Sequence, residues 1–167
     1  MISDFLGIFW GNFRSLFILI VLPMAAYWCI FFILCVNKRG RELPPSIVKP
    51  IVYVGMIFLG YNSFTWVYPR FCIYPFPIFS AHYIYHGIIE IPTFFIAAVW
   101  SLHNLDRMDD DIQTQPPLPW YRRVKNSFLY CFYPVLLGIV LLAIAAYIET
   151  QVTPYLILNS YMPYIGS

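Results

Sequence analysis

The sequence predicts an all-α membrane protein with about four transmembrane helices in one domain, residues 1–167. Its 167 residues are 60% hydrophobic and 11% charged, and the mean hydropathy is +0.69. A soluble domain carries about 25% charged residues, and a single core of this size cannot hide so much apolar surface from water. The chain has four apolar stretches separated by polar connectors, so we expect the remaining apolar surface to face lipid.

The N-terminal half holds two predicted spans. Residues 16–36 are uncharged and long enough to cross about 30 Å of hydrocarbon, and Pro23 predicts a kink near Leu19. Before this span, residues 5–13 predict a short interfacial helix. After it, residues 37–49 form a polar connector on the inner side. The second span covers residues 51–68 and ends in interfacial aromatic residues followed by Pro69 and Arg70.

The C-terminal half holds the other two spans. The third is predicted over residues 78–102, broken at Gly87 and Pro92, and it is followed by an inner-side connector at residues 103–125. The fourth covers residues 126–148. Beyond it, the Tyr- and Pro-rich segment Pro154–Ile165 predicts a second short interfacial helix.

The distribution of basic residues predicts the orientation of the chain. The two connectors hold eight Lys and Arg residues and the opposite side holds two, so the positive-inside rule places both connectors on the inner side. The N- and C-termini are then expected on the outer side. The net charge of +2, without a basic run, excludes nucleic acid as a partner.

Ionisable residues inside apolar stretches are the candidate functional residues. Glu90 and Glu149 lie in or at the end of predicted spans, where a charged group is costly and normally has a partner. His82 and His86 precede Glu90 by eight and four residues, which places all three side chains on one face of a helix. The alternating spans bring Glu149 to the same half of the membrane. The predicted helix-breaking residues nearby are Gly87, Pro92 and Pro154.

Three interpretations of this His/Glu cluster remain open. In the favoured one, the carboxyl groups pair with imidazole or backbone groups and fasten the helices together. In the second, His86, Glu90 and Glu149, with or without His82, bind a metal ion through N and O ligands. In the third, the cluster serves a membrane hydrolase or a proton relay, although no hydrolase motif supports that role.

The remaining polar and cysteine residues are weaker candidates. The acidic run from Asp106 to Asp111 lacks the spacing of a calcium loop, so we interpret it as a solvated face. The four cysteines lie in apolar stretches without a C-x-x-C pair and are interpreted as small core residues.

Two sequence blocks resemble the stage II sporulation protein M family. The first is His86-Gly87-Ile88-Ile89-Glu90-Ile91-Pro92 with the following residues 94–98, and the second is the segment 145–154, which contains Ile148-Glu149 and Val152-Thr153-Pro154. Residues 9–15 are similar to the aromatic-Asn segment before the family's first span. The chain therefore looks like a distant member. The resemblance implies a multi-pass membrane protein without catalysis of its own, which in sporulating bacteria anchors cell-wall hydrolases at the engulfing membrane.

The expected function is therefore that of a non-enzymatic integral membrane subunit. It scaffolds or stabilises a larger complex, with other membrane protein subunits and lipid as partners and no required cofactor. The alternative is an ion- or metal-binding transport component that uses the His/Glu cluster in the outer half of the bundle.

Overall fold

The computed structural model describes residues 2–36, 44–113 and 118–165. Within these ranges, the described side chains leave out those of residues 2, 35, 36, 66, 86 and 160–165. Most of the predicted connector at residues 37–49, and residues 114–117 of the second connector, therefore lie outside the described residues.

The described chain is helical throughout its regular elements and contains no strand in those ranges, which confirms the predicted fold class. Four of its helices are long and apolar enough to cross a membrane, so the chain is an integral membrane protein. The elements in order are α1 (Ile2–Val36), a 3₁₀ turn (Pro45–Val48), α2 (Lys49–Ile73), α3 (Phe76–Gln113), α4 (Trp120–Tyr147), a π turn (Ile148–Val152) and α5 (Thr153–Ile165).

Helices α1 and α3 form the centre of the bundle. They pack against each other, α2 packs on both from one side, and α4 packs on both from the other side. In the part of the chain that the structure describes, α2 and α4 do not touch. The most deeply buried side chains join these helices, for example Leu19 of α1, Val52 of α2, Leu105 of α3 and Leu142 of α4, all fully buried.

The helices alternate in direction, which gives the bundle two distinct ends. At the cleft end, the start of α1 near Asp4 lies beside the start of α3 at His82 and beside Pro154. At the loop end, Phe32 of α1 contacts Trp120 of α4, with ring centroids 6.2 Å apart. The predicted alternation of spans agrees with this arrangement.

The first helix is longer than predicted. Residues 5–13 do not form a separate interfacial helix but continue directly into the first span as part of α1. Phe5, Phe9 and Phe13 are spaced four residues apart and stack with ring centroids 6.2 and 6.1 Å apart. Such i,i+4 contacts favour continuation of the helix.

The third helix is also longer than predicted and is not interrupted. α3 runs without a break through Gly87 and Pro92 to Gln113, which takes up much of the predicted connector at residues 103–125. Pro92 removes one backbone hydrogen bond, which a helix held by its neighbours tolerates. Just beyond it, the Thr93 hydroxyl donates to the Ile89 carbonyl at 2.6 Å.

Among the described glycines, Gly138 of α4 makes the closest approach to another helix. A Cβ atom added at Gly138 would lie 2.5 Å from Cδ2 of Leu16 on α1, whereas one added at Gly87 would meet only Ile91 of its own helix, at 4.0 Å. Gly138 therefore lets α1 and α4 pack closely where any side chain would clash.

Candidate functional site

Glu90 is held by a residue of another helix. The Asn12 side-chain amide of α1 donates a hydrogen bond to Oε1 of Glu90 on α3, and both side chains are half-buried. The bond joins the two central helices in the half of the bundle that contains the cleft end. A charge-assisted bond of this kind compensates part of the cost of placing a carboxylate among apolar side chains.

Glu149 lies in a π turn, an irregular turn that the sequence does not reveal. The Thr153 N–H bonds to the Ile148 carbonyl five residues earlier instead of four, and the Thr150 hydroxyl donates to the Ala146 carbonyl at 2.8 Å. Pro154 follows directly. Because a proline ring clashes with the carbonyl four residues before it, a wider turn at this point relieves the clash.

Pro154 therefore widens the helix and does not end it. The chain passes from α4 through the π turn into α5 without leaving helical geometry. Among the three predicted helix-breaking residues, Gly87 and Pro92 lie inside a continuous α3, and only Pro154 marks an irregular turn. The proline positions were readable from the sequence, but the response of the backbone depends on packing.

Glu149 also lines an open cleft of about 710 Å³ at the cleft end of the bundle. The cleft lies between the start of α1, the start of α3 and the π turn with α5. It is lined by Asp4, Ile8, His82, Tyr83, Glu149, Thr150, Thr153, Pro154 and Ile157. The cleft thus combines carboxylate, imidazole and hydroxyl groups with an apolar wall.

The two glutamates approach each other but have different surroundings. The charge of Glu149 contributes to the electrostatic surroundings of Glu90. No hydrogen bond joins them among the described residues. Glu90 is bonded to Asn12, whereas Glu149 lines the cleft, as His82 does.

His82 is oriented by its own helix and by a neighbouring ring. Its Nδ1 lies 2.8 Å from the Ile78 carbonyl, and its ring stacks on Tyr74 with centroids 5.7 Å apart. Since a carbonyl only accepts, Nδ1 carries the proton, and Nε2 of the neutral ring is then an acceptor. The imidazole is fixed in direction at the cleft wall.

The predicted metal ligands include His86, whose side chain lies outside the described residues. Among the described residues, no group of three or more His, Cys, Asp or Glu side chains could hold a metal ion. The set His86, Glu90 and Glu149 therefore stays a prediction.

A second group of polar contacts lies at the loop end, where the sequence suggested only a solvated acidic face. Lys49 pairs with Asp106 at 2.5 Å. Asn126 and Tyr130 of α4 donate to Oδ2 of Asp111 at 3.1 and 3.3 Å. The acidic run thus contributes two side chains to contacts between helices.

A buried hydrogen bond also joins α1 to α4 near the loop end. The indole N–H of Trp28 donates to the Ser127 hydroxyl at 2.8 Å, and both side chains are buried. The neighbouring Arg123 is buried as well, with its guanidinium 5.5 Å from the Phe31 ring centroid. Sequence reasoning missed these contacts, although a lone Ser or Asn in an apolar stretch was a readable signal for them.

The family comparison covers nearly the whole described chain. The family model for stage II sporulation protein M matches residues 2–154, which include Asn12, Glu90, Glu149 and Pro154. No curated protein and no solved structure matches the chain.

Proposed function

The chain belongs to the stage II sporulation protein M family, and from this premise we propose that it is a non-catalytic membrane subunit. Its proposed role is to scaffold or stabilise a larger membrane protein complex, with other membrane protein subunits and lipid as its partners. The observation that carries this proposal is the outward face of α2.

One face of α2 is an exposed stripe of mostly aromatic side chains along its whole length. The stripe consists of residues at helical spacing, each 54–71% exposed: Tyr53, Ile57, Tyr61, Phe64, Tyr68 and Phe71. Aromatic side chains are enriched in protein interfaces because they bury a large area at a small cost in conformational entropy. We name this surface the α2 stripe.

The position of Tyr61 favours a protein partner over lipid alone. Tyr61 lies in the middle of the 25-residue α2 and is 65% exposed. Interfacial tyrosines normally sit at the ends of a span, where the hydroxyl reaches water, whereas a hydroxyl at mid-membrane depth lacks water to bond to. A neighbouring helix with a polar side chain or carbonyl would satisfy it.

The polar contacts within the bundle support a structural role. Asn12 with Glu90, and Trp28 with Ser127, each connect two helices. Side chains engaged in this way fasten helices to one another and are not poised to act on a substrate. This supports a fastening role for Glu90, whereas Glu149 makes no such bond among the described residues.

Site-specific photo-crosslinking in native membranes tests the proposal. A benzophenone amino acid at position 61 is expected to form adducts with a different polypeptide. The same probe at Val140, which is 50% exposed on α4, is the matched control and is expected to react with lipid. Lipid adducts alone at position 61, or adducts with only a second copy of this chain, would contradict the proposal.

The alternative is an ion- or metal-binding transport component, which the cleft favours because Glu149 and His82 line it together. Metal analysis of the purified chain against its Glu149→Gln variant tests this function. Equal metal content in the two proteins would remove it.

A further inference from the structure

The cleft at the end of the bundle has the chemistry of a site for an organic cation. We propose that it binds a primary alkylammonium group, of the kind carried by ethanolamine phospholipids, with Glu149 as the counter-ion. This site does not depend on the assembly role proposed above.

Glu149 supplies the negative charge of the proposed site. Its side chain is half-buried, and among the described residues it has no hydrogen-bond or ion-pair partner, in contrast to Glu90. A carboxylate at the edge of a membrane-spanning segment is costly unless a cation or donors compensate it. The cleft is open to the surroundings of the bundle, so the compensating group can come from outside the chain.

The hydrogen-bonding groups around Glu149 are mainly acceptors. The Thr150 hydroxyl donates its proton to a hydrogen bond with the Ala146 carbonyl, and Nδ1–H of His82 donates to the Ile78 carbonyl. Nε2 of the neutral His82 ring then has a lone pair to offer, and the Thr150 oxygen has lone pairs that it shares with the Gln151 amide, 3.5 Å away. A primary ammonium group carries three N–H donors and one positive charge, which complements a carboxylate with neighbouring lone pairs.

Thr153 provides an independent indication of a ligand. It lines the cleft, its side chain is only 5% exposed, and its Oγ1 has no hydrogen-bond partner among the described residues. A buried hydroxyl without a partner costs free energy. A rotation of the Thr153 side chain would bring this oxygen to the cleft surface, where a donor bound beside Glu149 would satisfy it.

The apolar wall of the cleft fits the carbon atoms next to an ammonium group. Ile8 of α1 and Ile157 of α5 also line the cleft, so they can contact methylene groups while Glu149 holds the charge. Asp4, His82 and Glu149 all line the cleft, but among the described residues no three such side chains are placed to hold one metal ion, so an ammonium group suits the cleft better.

Native mass spectrometry of the delipidated protein tests the lipid source. The protein is offered equal amounts of phosphatidylethanolamine and phosphatidylcholine with identical acyl chains, so that only the methylation of the nitrogen differs. We expect the ethanolamine lipid to be retained about tenfold better, since trimethylation removes every N–H donor. Glu149→Gln is expected to abolish this preference.

Two further variants separate binding from folding. Thr153→Val keeps the carboxylate and the shape of the side chain, and we expect it to reduce the preference about fivefold. If Glu149→Gln does not give a monodisperse protein, the lipid preference of Thr153→Val is the measurement that tests the proposal. Asp110→Asn removes an exposed carboxylate near the loop end, and it is the matched control that should leave the preference unchanged.

Free ethanolamine distinguishes a soluble amine from a lipid. If it raises the unfolding temperature of the wild type but not of Glu149→Gln, while the two lipids bind equally, the site takes a soluble alkylammonium. The proposal is overturned if the wild type prefers neither lipid and does not respond to ethanolamine. It is also overturned if either response persists in folded Glu149→Gln.

Discussion

Asn12 and Glu90 show how a single polar pair holds two central helices together. The amide of Asn12 is the donor that compensates the Glu90 carboxylate, and the residues are 78 positions apart in the sequence. Burying either side chain without the other therefore costs free energy, because either one alone is a polar group without a hydrogen-bond partner among apolar neighbours.

Removing one member of this pair should cost more than removing both. We expect Asn12→Leu to lower the free energy of unfolding by about 1–3 kcal/mol, since it leaves the Glu90 carboxylate without its donor. The double variant Asn12→Leu with Glu90→Leu should recover most of that loss. Thermal unfolding in detergent measures both effects, with the loss of monodisperse protein as the readout.

Asn62 offers a matched control for this comparison. In the described part of the chain its amide donates only to the Phe58 carbonyl of its own helix, at 3.0 Å, so Asn62→Leu should change stability by less than about 0.5 kcal/mol. Losses that simply add in the double variant would show that Asn12 and Glu90 are not coupled.

At this scale the sequence identified the two glutamates but not the partner of Glu90. Hydropathy alone marks Glu90 and Glu149 as unusual, because each lies in or beside an apolar stretch. The choice of Asn12 as the donor to Glu90 depends on how α1 and α3 are aligned, and helical spacing within one segment carries no information about that alignment. Spacing within α3 therefore favoured His82 and His86 as the neighbours of Glu90.

At the scale of the helices, small residues decide where two helices come closest. α1 and α4 meet at Gly138 and Leu16 so tightly that a Cβ atom has no room. The opposing Leu16 is itself buried, with 1% of its surface exposed. It cannot rotate away without disturbing its neighbours.

Gly138→Ala should therefore destabilise the bundle although alanine is the better helix former. We expect a loss of about 1–3 kcal/mol from overpacking against Leu16, measured by thermal unfolding in detergent. Adding Leu16→Ala should restore part of it, since the clash is removed.

Gly60 of α2 is the control, because an added Cβ there meets nothing within 4 Å. Gly60→Ala is expected to leave stability unchanged or to raise it by up to about 1 kcal/mol. Equal effects at the two glycines would exclude tight packing of α1 on α4 as the cause.

Helix lengths were harder to predict than helix number. The four spans follow from long apolar stretches, but the ends of α1 and α3 extend well into segments that the sequence suggested were interfacial or irregular. Stacked Phe5, Phe9 and Phe13 prolong α1, and contacts such as Asp111 with Asn126 prolong α3. These extensions depend on side-chain contacts that a hydropathy average does not contain.

For the whole molecule, the alternation of helices fixes which parts share an end but leaves the orientation in the membrane as a prediction. The starts of α1, α3 and α5 lie at the cleft end. The eight basic residues of the two connectors predict that the loop end faces the inner side.

Labelling of single cysteines in intact cells checks this orientation. In a background without the native cysteines, a cysteine at exposed Ser3 should react with a membrane-impermeant maleimide. One at exposed Arg122 should react only after the membrane is opened. Labelling of Arg122→Cys, but not Ser3→Cys, in intact cells would reverse the predicted orientation.

Because of the π turn at Ile148–Val152, the direction in which the side chains of α5 point depends on the number of residues in that turn. One extra residue in a turn rotates everything that follows by roughly 100° relative to a regular α-helix. Deleting a single codon in this stretch would therefore keep most side chains but point α5 in another direction. Lineages of this family that differ by one residue here would present different faces of α5 to the same neighbours.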